Sequence, residues 1–538
     1  MSLQEHITQR FKSIKVPPIF KSTDFDEATA EVLKAAIAKP IRPDKELTVL
    51  PPLLTEPKKI LLIVPPGTLE ESYGRLSAAA GELPMLGLAF IAASLRDQGH
   101  QVKIIDYEVT HLPLSSVRPD IEAFNPDVVG MTVYITNMRR CAAVARIVKE
   151  VNSETPVIFG GPQVSIFPEE GFKSPDVDLI VLSEGEIVIR NVMNALHNEE
   201  KLKNVKGIWF KNSKGEIVKN EREGLPADLD IFPSPALDLY DMEAYYPPAH
   251  IRGKKVAHLL TSRGCPFRCT FCETKLTFGR SFRFHSTERV LKDLEDLIAK
   301  GYDSFQFYDD IFTTQKARVI DLCNAIIERR WKIQWMCFTR TNCVNDEMLA
   351  LMKKAGCYLI TFGGETGDDD LLKIIKKDLT VAKNYEGIAM AKKHGILTLS
   401  SFMLGLPTEK REQTLKTINF ALDSGLDYAV FPITEPYPGT ELWIDATKYG
   451  TFDTSGKHKN NLLSENSAVW VPNGRTREEL EELAGLAMRK FYFRPQSVWL
   501  AVMNFFHLPL GRAFRYVWSG VSFFVINSFK PAKAGARY

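Results

Sequence analysis

The chain has 538 residues, of which 45% are apolar and 25% charged. That is the composition of an ordinary folded protein, with length for about two to four domains, each with its own core. A net charge of +2 offers no field to hold a nucleic acid. Eight cysteines over this length make no disulfide framework and point to a reduced, cytoplasmic compartment. The opening MSLQEHITQRFKS lacks the apolar core of a signal peptide, and no stretch reaches the roughly 18 to 20 uninterrupted apolar residues of a spanning helix.

Residues 1–57 read as an extension, with one short helix over Asp26–Ala38 and a linker stiffened by Pro40, Pro43, Pro51, Pro52 and Pro57. Residues 58–200 alternate strands and helices: strands at Ile60–Val64, Val102–Ile105, Asp127–Val133, Val157–Phe159 and Leu179–Leu182, with helices at Gly87–Gln98 and Met138–Val151. This spacing predicts an open, doubly wound parallel sheet, whose ligands bind at the carboxyl ends of the strands. The loops at those ends are Pro65-Pro66-Gly67, Thr132–Thr136, Gly160–Gln163 and Ser183–Glu186. Alone they imply a nucleotide-like or cofactor ligand of unspecified type, and Gly160-Gly161 equally suits a plain turn. Residues 201–250 read as a connector, a hairpin over Gly207–Lys211 and Gly215–Lys219 followed by a proline-rich stretch.

Residues 251–445 resume the alternation. Strands at Val256–Thr261, Ser304–Tyr308, Ile333–Phe338, Tyr358–Phe362, Leu397–Phe402 and Tyr428–Ile433 predict a partial (β/α)6 barrel with its reactive groups at the strand C-termini. After the first strand comes Ser262-Arg-Gly-Cys-Pro-Phe-Arg-Cys-Thr-Phe-Cys-Glu273, a C-x3-C-x2-C run of Cys265, Cys269 and Cys272. Soft thiolates suit an iron–sulfur cluster, and a cubane needs one ligand per iron. Three cysteines leave one iron open to a substrate or cofactor. Ferredoxins supply four, and a structural zinc site wants a second pair or nearby histidines, so zinc and unligated core thiols are the weaker readings. Cys323, Cys337, Cys343 and Cys357 read as packing.

At these cysteines, and at Phe271 before the third, the chain resembles the radical S-adenosylmethionine (SAM) enzymes, in which the open iron chelates SAM. The segments PMLGLAFIAASLRDQGHQVKIIDYE, VGMTVYITN, IFGGPQVSIFPEE and SEGE resemble the cobalamin-binding domain of the cobalamin-dependent members. The resemblance implies an N-terminal Rossmann-like cobalamin domain, a radical SAM barrel and a mainly helical C-terminal region. It implies a [4Fe–4S] cluster, SAM and cobalamin as cofactors. The D-x-H-x-x-G motif that gives cobalt a histidine elsewhere is missing, since Asp106-Tyr-Glu lacks it; His111 reads as a surface or packing histidine.

The resemblance assigns Thr132, Tyr134, Gly160, Gly161, Gln163, Glu184, Gly185 and Glu186 to cobalamin. In the barrel, Asp309 and Asp310 face SAM and substrate on the family reading, or cap the following helix on the local one. Gly363-Gly-Glu-Thr-Gly367 lets the backbone approach a ligand and offers Glu365 to a ribose diol, against a turn with a solvated glutamate. Lys376 and Lys377 read as a solvated face. Ser400 and Ser401, with the following Phe402–Pro407, touch SAM in the family, or are satisfied strand hydroxyls. Tyr437 in the Pro436–Thr440 turn faces substrate or cobalamin.

Residues 446–538 show no strand–helix repeat. Arg475–Phe491 reads as a helix capped by Thr476 with Glu479 three residues on. The aromatic tail, broken by His507, Pro509, Arg512 and Arg515, is a cap over the barrel or an interfacial membrane contact.

The implied reaction makes a 5′-deoxyadenosyl radical, removes hydrogen from an unactivated carbon, and transfers a methyl group from methylcobalamin, with cobalt facing the barrel mouth. The implied partners are a small-molecule or lipid-like substrate and an electron donor such as flavodoxin or ferredoxin. An alternative keeps the cofactors but cyclises or rearranges a tetrapyrrole or polycyclic lipid, as Phe491-Tyr-Phe-Arg-Pro495 and the aromatic tail suggest; a further one is a non-catalytic cobalamin or redox sensor.

Overall fold

The computed structural model describes residues 41–68, 81–248, 250–452 and 470–507. The expected helix over Asp26–Ala38 and the tail beyond residue 507 lie outside the described residues. The chain divides into two compact units, one of residues 1–68, 84–245 and 273–283, the other of residues 69–83, 246–272 and 284–538.

In the first unit, β1 (Lys59–Val64), β2 (Gln101–Asp106), β3 (Val128–Thr132), β4 (Val157–Gly160) and β5 (Leu179–Val181) alternate with helices α1 (Leu86–Asp97), α2 (Val117–Phe124), α3 (Met138–Val151) and α4 (Pro162–Ile166). Helix α5 (Gly185–Ala195) follows β5. The strands lie in the order β2-β1-β3-β4-β5, all parallel. Near-continuous apolar runs such as Ile60–Val64, buried on both faces, are what a parallel sheet covered by helices demands. Leu61, Ile63, Val129, Met131 and Phe159 pack on Val144 and Val148 of α3 in one core. The strand order reverses between β1 and β3, which opens a crevice at their carboxyl ends. The hairpin expected in the connector, β6 (Ile208–Lys211) and β7 (Ile217–Lys219), adds two antiparallel strands beside β5. The linker lies against this unit: Arg190 Nε donates to Pro51 O at 2.6 Å and Asn194 Nδ2 to Pro52 O at 2.9 Å.

In the second unit, β8 (Val256–Leu259), β9 (Ser304–Phe307), β10 (Gln334–Thr339), β11 (Cys357–Glu365), β12 (Leu397–Phe402) and β13 (Tyr428–Val430) form one parallel sheet in sequence order. The intervening helices are α6 (Thr287–Ala299), α7 (Lys316–Glu328), α8 (Asp346–Lys354), α9 (Val381–Lys393) and α10 (Arg411–Asp423). This is the expected partial barrel. Side chains satisfy the helix starts: Ser286, Asn345 and Thr380 accept from the backbone three residues on. Buried Phe307 stacks on Phe312 with centroids 4.7 Å apart, and Trp335 meets both edge-on or tilted. Helix α11 (Arg477–Tyr492) is capped by Thr476 Oγ1 accepting from Glu479 N at 3.2 Å, and α12 (Pro495–His507) follows. No described helix is long and apolar enough to cross a membrane.

Candidate active site

The cysteine loop leaves β8 at the barrel's C-terminal edge and is pinned along its length. Asp309, 1% exposed, accepts from Thr261 N at 2.5 Å, Ser262 N at 3.1 Å and Thr261 Oγ1 at 2.5 Å. The Arg318 guanidinium, buried 3.7 Å from Asp309, also donates to Thr261 Oγ1 and to Thr261 O. Asp309 therefore fixes the entry to the loop; it neither caps α7 nor presents a carboxylate at the surface. Asp310 is the exposed member of the pair. Further along, Thr270 N donates to Ile375 O at 3.0 Å, and Leu442 N donates to Thr270 O at 2.9 Å. Phe271 packs on Leu371, Leu372, Ile375 and Leu406.

Cys269 is buried and Cys265 and Cys272 half-buried. Burial pushes the Cys265 thiol up to about 12, and the charges of Cys272, Asp310 and Cys269 act in the same direction. Burial and the neighbouring charges thus disfavour the free Cys265 thiolate, and ligation of a metal cluster would relieve that cost. Among the described residues no three His, Cys, Asp or Glu side chains converge on a single-ion site. Thiolates that each take a different iron of a cubane need no such convergence, so the loop fits a cluster better than a lone zinc.

At the end of β11 the register shifts between Gly363 and Glu365. Glu365 holds a φ of 61°, which a non-glycine residue adopts at a cost of about 1–3 kcal/mol where surrounding contacts enforce it. Its Oε1 lies 2.5 Å from Lys377 Nζ, and both side chains are buried. A Cβ at Gly363 would stand 2.7 Å from that Oε1 and 2.8 Å from that Nζ, so a larger residue there would push the ends of the pair aside. Lys377 is therefore no solvated face, because a buried carboxylate needs its charge. Lys376 instead pairs at the surface with Glu441. Ser400 is fully buried, donating to Phe362 O and accepting from Gly364 N, both at 3.1 Å. That is the satisfied-hydroxyl outcome. Ser401 is half-buried, and Tyr437 is 38% exposed in a turn whose carbonyl accepts from Thr440 N at 3.1 Å. Cys323, Cys337 and Cys357 are buried packing thiols; Cys343 is half-buried, and burial raises its pKa.

The first unit's carboxyl edge is built differently. Val133 N donates to Gly160 O at 2.7 Å and Gln163 N to Val133 O at 3.2 Å, locking the β3 and β4 loops together. Gly161 has a φ of 99°, and a Cβ there would stand 2.8 Å from Val133 N. Thr132 is half-buried. Tyr134 is 36% exposed, its hydroxyl pushed up to about 12 by burial and by Glu273. Gln163 Nε2 and Ser183 Oγ are buried without hydrogen-bond partners among the described residues. Orphaned polar atoms at a strand-end crevice fit a ligand rich in amides, as a corrinoid is.

Glu184 departs from expectation. Its carboxylate forms a buried ion pair with Arg283, whose Nη1 also donates to Pro226 O at 2.9 Å. It is committed to the fold of this unit and not free for a ligand. Gly185 opens α5, where a Cβ would press on Ile91 Cδ1 at 2.9 Å, and Glu186 is buried, its carbonyl accepting from Ser94 Oγ at 2.8 Å. Asp106, in place of the missing motif, accepts from Tyr245 OH at 2.6 Å and from Glu108 N at 2.9 Å; burial raises its pKa. His111 is exposed.

Sequence reasoning missed Arg318, Arg340 and Arg283. For Arg340 a signal existed: a charged residue two positions past the end of a predicted barrel strand, in Phe338-Thr-Arg-Thr-Asn342.

Comparison with known proteins agrees with this geometry. The Radical SAM superfamily model matches residues 259–421, and a B12 binding domain model matches residues 74–193. An uncharacterized methyltransferase of Pyrococcus horikoshii is 34% identical over 459 residues, covering 85% of this chain and 97% of that protein. The anaerobic magnesium-protoporphyrin IX monomethyl ester cyclase of Rubrivivax gelatinosus is 29% identical, covering 77% of this chain and 74% of that protein. The solved radical SAM methyltransferase TsrM of Kitasatospora setae shares the fold, with a TM-score of 0.60 at 17% identity over 74% of this chain and 78% of that one. The chain belongs to the cobalamin-dependent radical SAM enzymes. Its cofactors are those of that family: a [4Fe–4S] cluster, SAM and cobalamin.

Proposed function

We propose that this enzyme methylates an unactivated carbon of a small-molecule or lipid-like substrate. The observation that carries the reading is the pinned three-cysteine loop at a barrel edge in a chain that also holds a B12 domain. The nearly full-length likeness to a methyltransferase supports it. Bound together, the three cofactors supply a 5′-deoxyadenosyl radical and a transferable methyl group.

Cys265, Cys269 and Cys272 hold three irons and leave the fourth to SAM. Asp310, whose charge acts on Cys265, faces the SAM ammonium. Glu365, braced by Lys377, receives the ribose hydroxyls. Phe271 and Met403 belong to one apolar cluster, which suits the adenine. Ser401 and Tyr437 line the same edge, the tyrosine toward substrate. On the sheet, Thr132, Tyr134, Gly160, Gly161 and Gln163 hold the corrinoid. An electron enters from a flavodoxin- or ferredoxin-like donor. We place the enzyme in the cytoplasm on its cysteine usage; any membrane contact falls to the tail outside the described residues.

A second reading is cyclisation or rearrangement without methyl transfer, favoured by the cyclase relative. A sensor role is set aside, because the cluster ligands are all present and supported. Anaerobically reconstituted enzyme decides the rest. Methyl transfer yields one S-adenosylhomocysteine and one 5′-deoxyadenosine per methylated product. Turnover without S-adenosylhomocysteine overturns it and leaves cyclisation.

A further inference from the structure

Arg340 stands one residue beyond β10 and is 3% exposed. Its Nη1 lies 3.6 Å from Cys269 Sγ, and its guanidinium carbon sits 3.7 Å from the centroid of Phe267, two residues before that cysteine. Its Nε donates to Asn342 Oδ1 at 3.3 Å, and its other amine donates to Lys377 O. Among the described residues no carboxylate lies within ion-pair reach of it. A guanidinium buried without a counter-anion is costly, and burial of such a charge implies an anion close by. Among the described residues the group in contact that becomes anionic on ligating a cluster is the Cys269 sulfur. The planar fork, the ring stack and the N–H···S contact are all suited to arginine and poorly to lysine.

We propose that Arg340 sets the reduction potential of the cluster through Cys269, while holding that cysteine against the loop that carries Lys377. The inference rests on the cluster reading above. Reduction adds one electron, supplied by the donor, and one unit of negative charge next to the guanidinium. A fixed positive charge with a hydrogen bond to a ligating sulfur stabilises the reduced state more than the oxidised one, so it raises the potential. Arg340 touches a cluster ligand and no substrate, which makes it a positioning residue.

The test is a redox titration of the anaerobically reconstituted full-length chain without SAM, followed by the electron paramagnetic resonance of the reduced cluster. Arg340→Met and Arg340→Gln should lower the equilibrium constant for one-electron reduction about tenfold, which is about 59 mV for one electron. Arg340→Lys, which keeps the charge but loses the fork and the ring stack, should fall between the parent and the glutamine variant. Should Arg340→Met hold no iron, the contrast of the glutamine and lysine variants decides. Retention of iron by the lysine variant alone also supports the assignment, since charge is what separates it from the other two. Equal potentials in the parent, lysine and glutamine proteins overturn it. Loss of iron from all three variants overturns it too, because the role is then structural only. Absence of iron and sulfide from the parent protein is a separate result, and sinks the cluster reading itself.

Discussion

Both units carry a run of parallel strands with a ligand edge at the strand carboxyl ends, yet they build that edge from different material. The barrel's edge is set by buried charged side chains: Asp309 with Arg318, Glu365 with Lys377, and Arg340 on Cys269. The open sheet's edge is set more by backbone, with Gly160 and Gly161 locked to Val133 and polar atoms of Gln163 and Ser183 without partners among the described residues, although Glu184 there is held by a buried pair with Arg283. A cluster needs three sulfurs held in one arrangement and a field tuned to its charge. A corrinoid is large and nearly neutral at its rim, and needs room and hydrogen-bonding partners. The difference between the edges follows the difference between the ligands.

That contrast can be broken by mutation, and the barrel should be the more sensitive side. Cys269→Ala should abolish cluster assembly and cut SAM cleavage to background while cobalamin binding persists; iron, sulfide and corrinoid content measure all three. Loss of cobalamin as well would end the separation of the two edges. Asp309→Ala leaves Arg318 and two backbone donors buried without their acceptor. It should cost about 3–5 kcal/mol in urea unfolding of the apoprotein. A change under about 1 kcal/mol would show that the loop entry is held by other means.

Glu409 gives a pH test of the same edge. It is buried in the loop after β12, accepts from Leu406 N at 2.6 Å and Thr414 Oγ1 at 2.9 Å, and its pKa is raised to about 7 by desolvation. A carboxyl whose folded pKa exceeds its unfolded one favours the fold most at low pH, and loses that contribution as pH rises through the folded value. The contribution is on the order of 3 kcal/mol, lost between about pH 4.5 and 7. Glu409→Gln should therefore flatten the decline in stability over that window, read as the urea midpoint of each protein at pH 5 and pH 8. Parallel declines would contradict it.

On the sheet, Gly161→Val meets Val133 N and a disfavoured φ. The strain is about 1–3 kcal/mol and should appear as weaker cobalamin binding with iron content unchanged. Unaltered affinity would mean that this turn does not shape the corrinoid site.

The fold was largely legible because both sheets announce themselves by period. Strand Ser304–Tyr308 is observed as Ser304–Phe307, and helix Arg475–Phe491 as Arg477–Tyr492. The cysteine spacing likewise needed no tertiary information. What escaped was the pairing of charges brought together by folding. Nothing local distinguishes Asp309, sealed under Thr261 and Ser262, from the exposed Asp310 beside it. Lys377 looked like a solvated helix residue until the chain bent it onto Glu365, and the partner of Glu184 lies 99 residues downstream. Strand periodicity reports which face is buried; it carries no record of which distant charge meets which.

The short run 273–283 directly after the third cysteine belongs with the open sheet and not with the barrel strands on either side of it in sequence. A gene cut at residue 250 would hence deliver a sheet whose Glu184 has lost Arg283. Such a fragment is expected to be less stable than its own strands suggest. Swapping one domain for a homologue's would need that eleven-residue piece to travel with it.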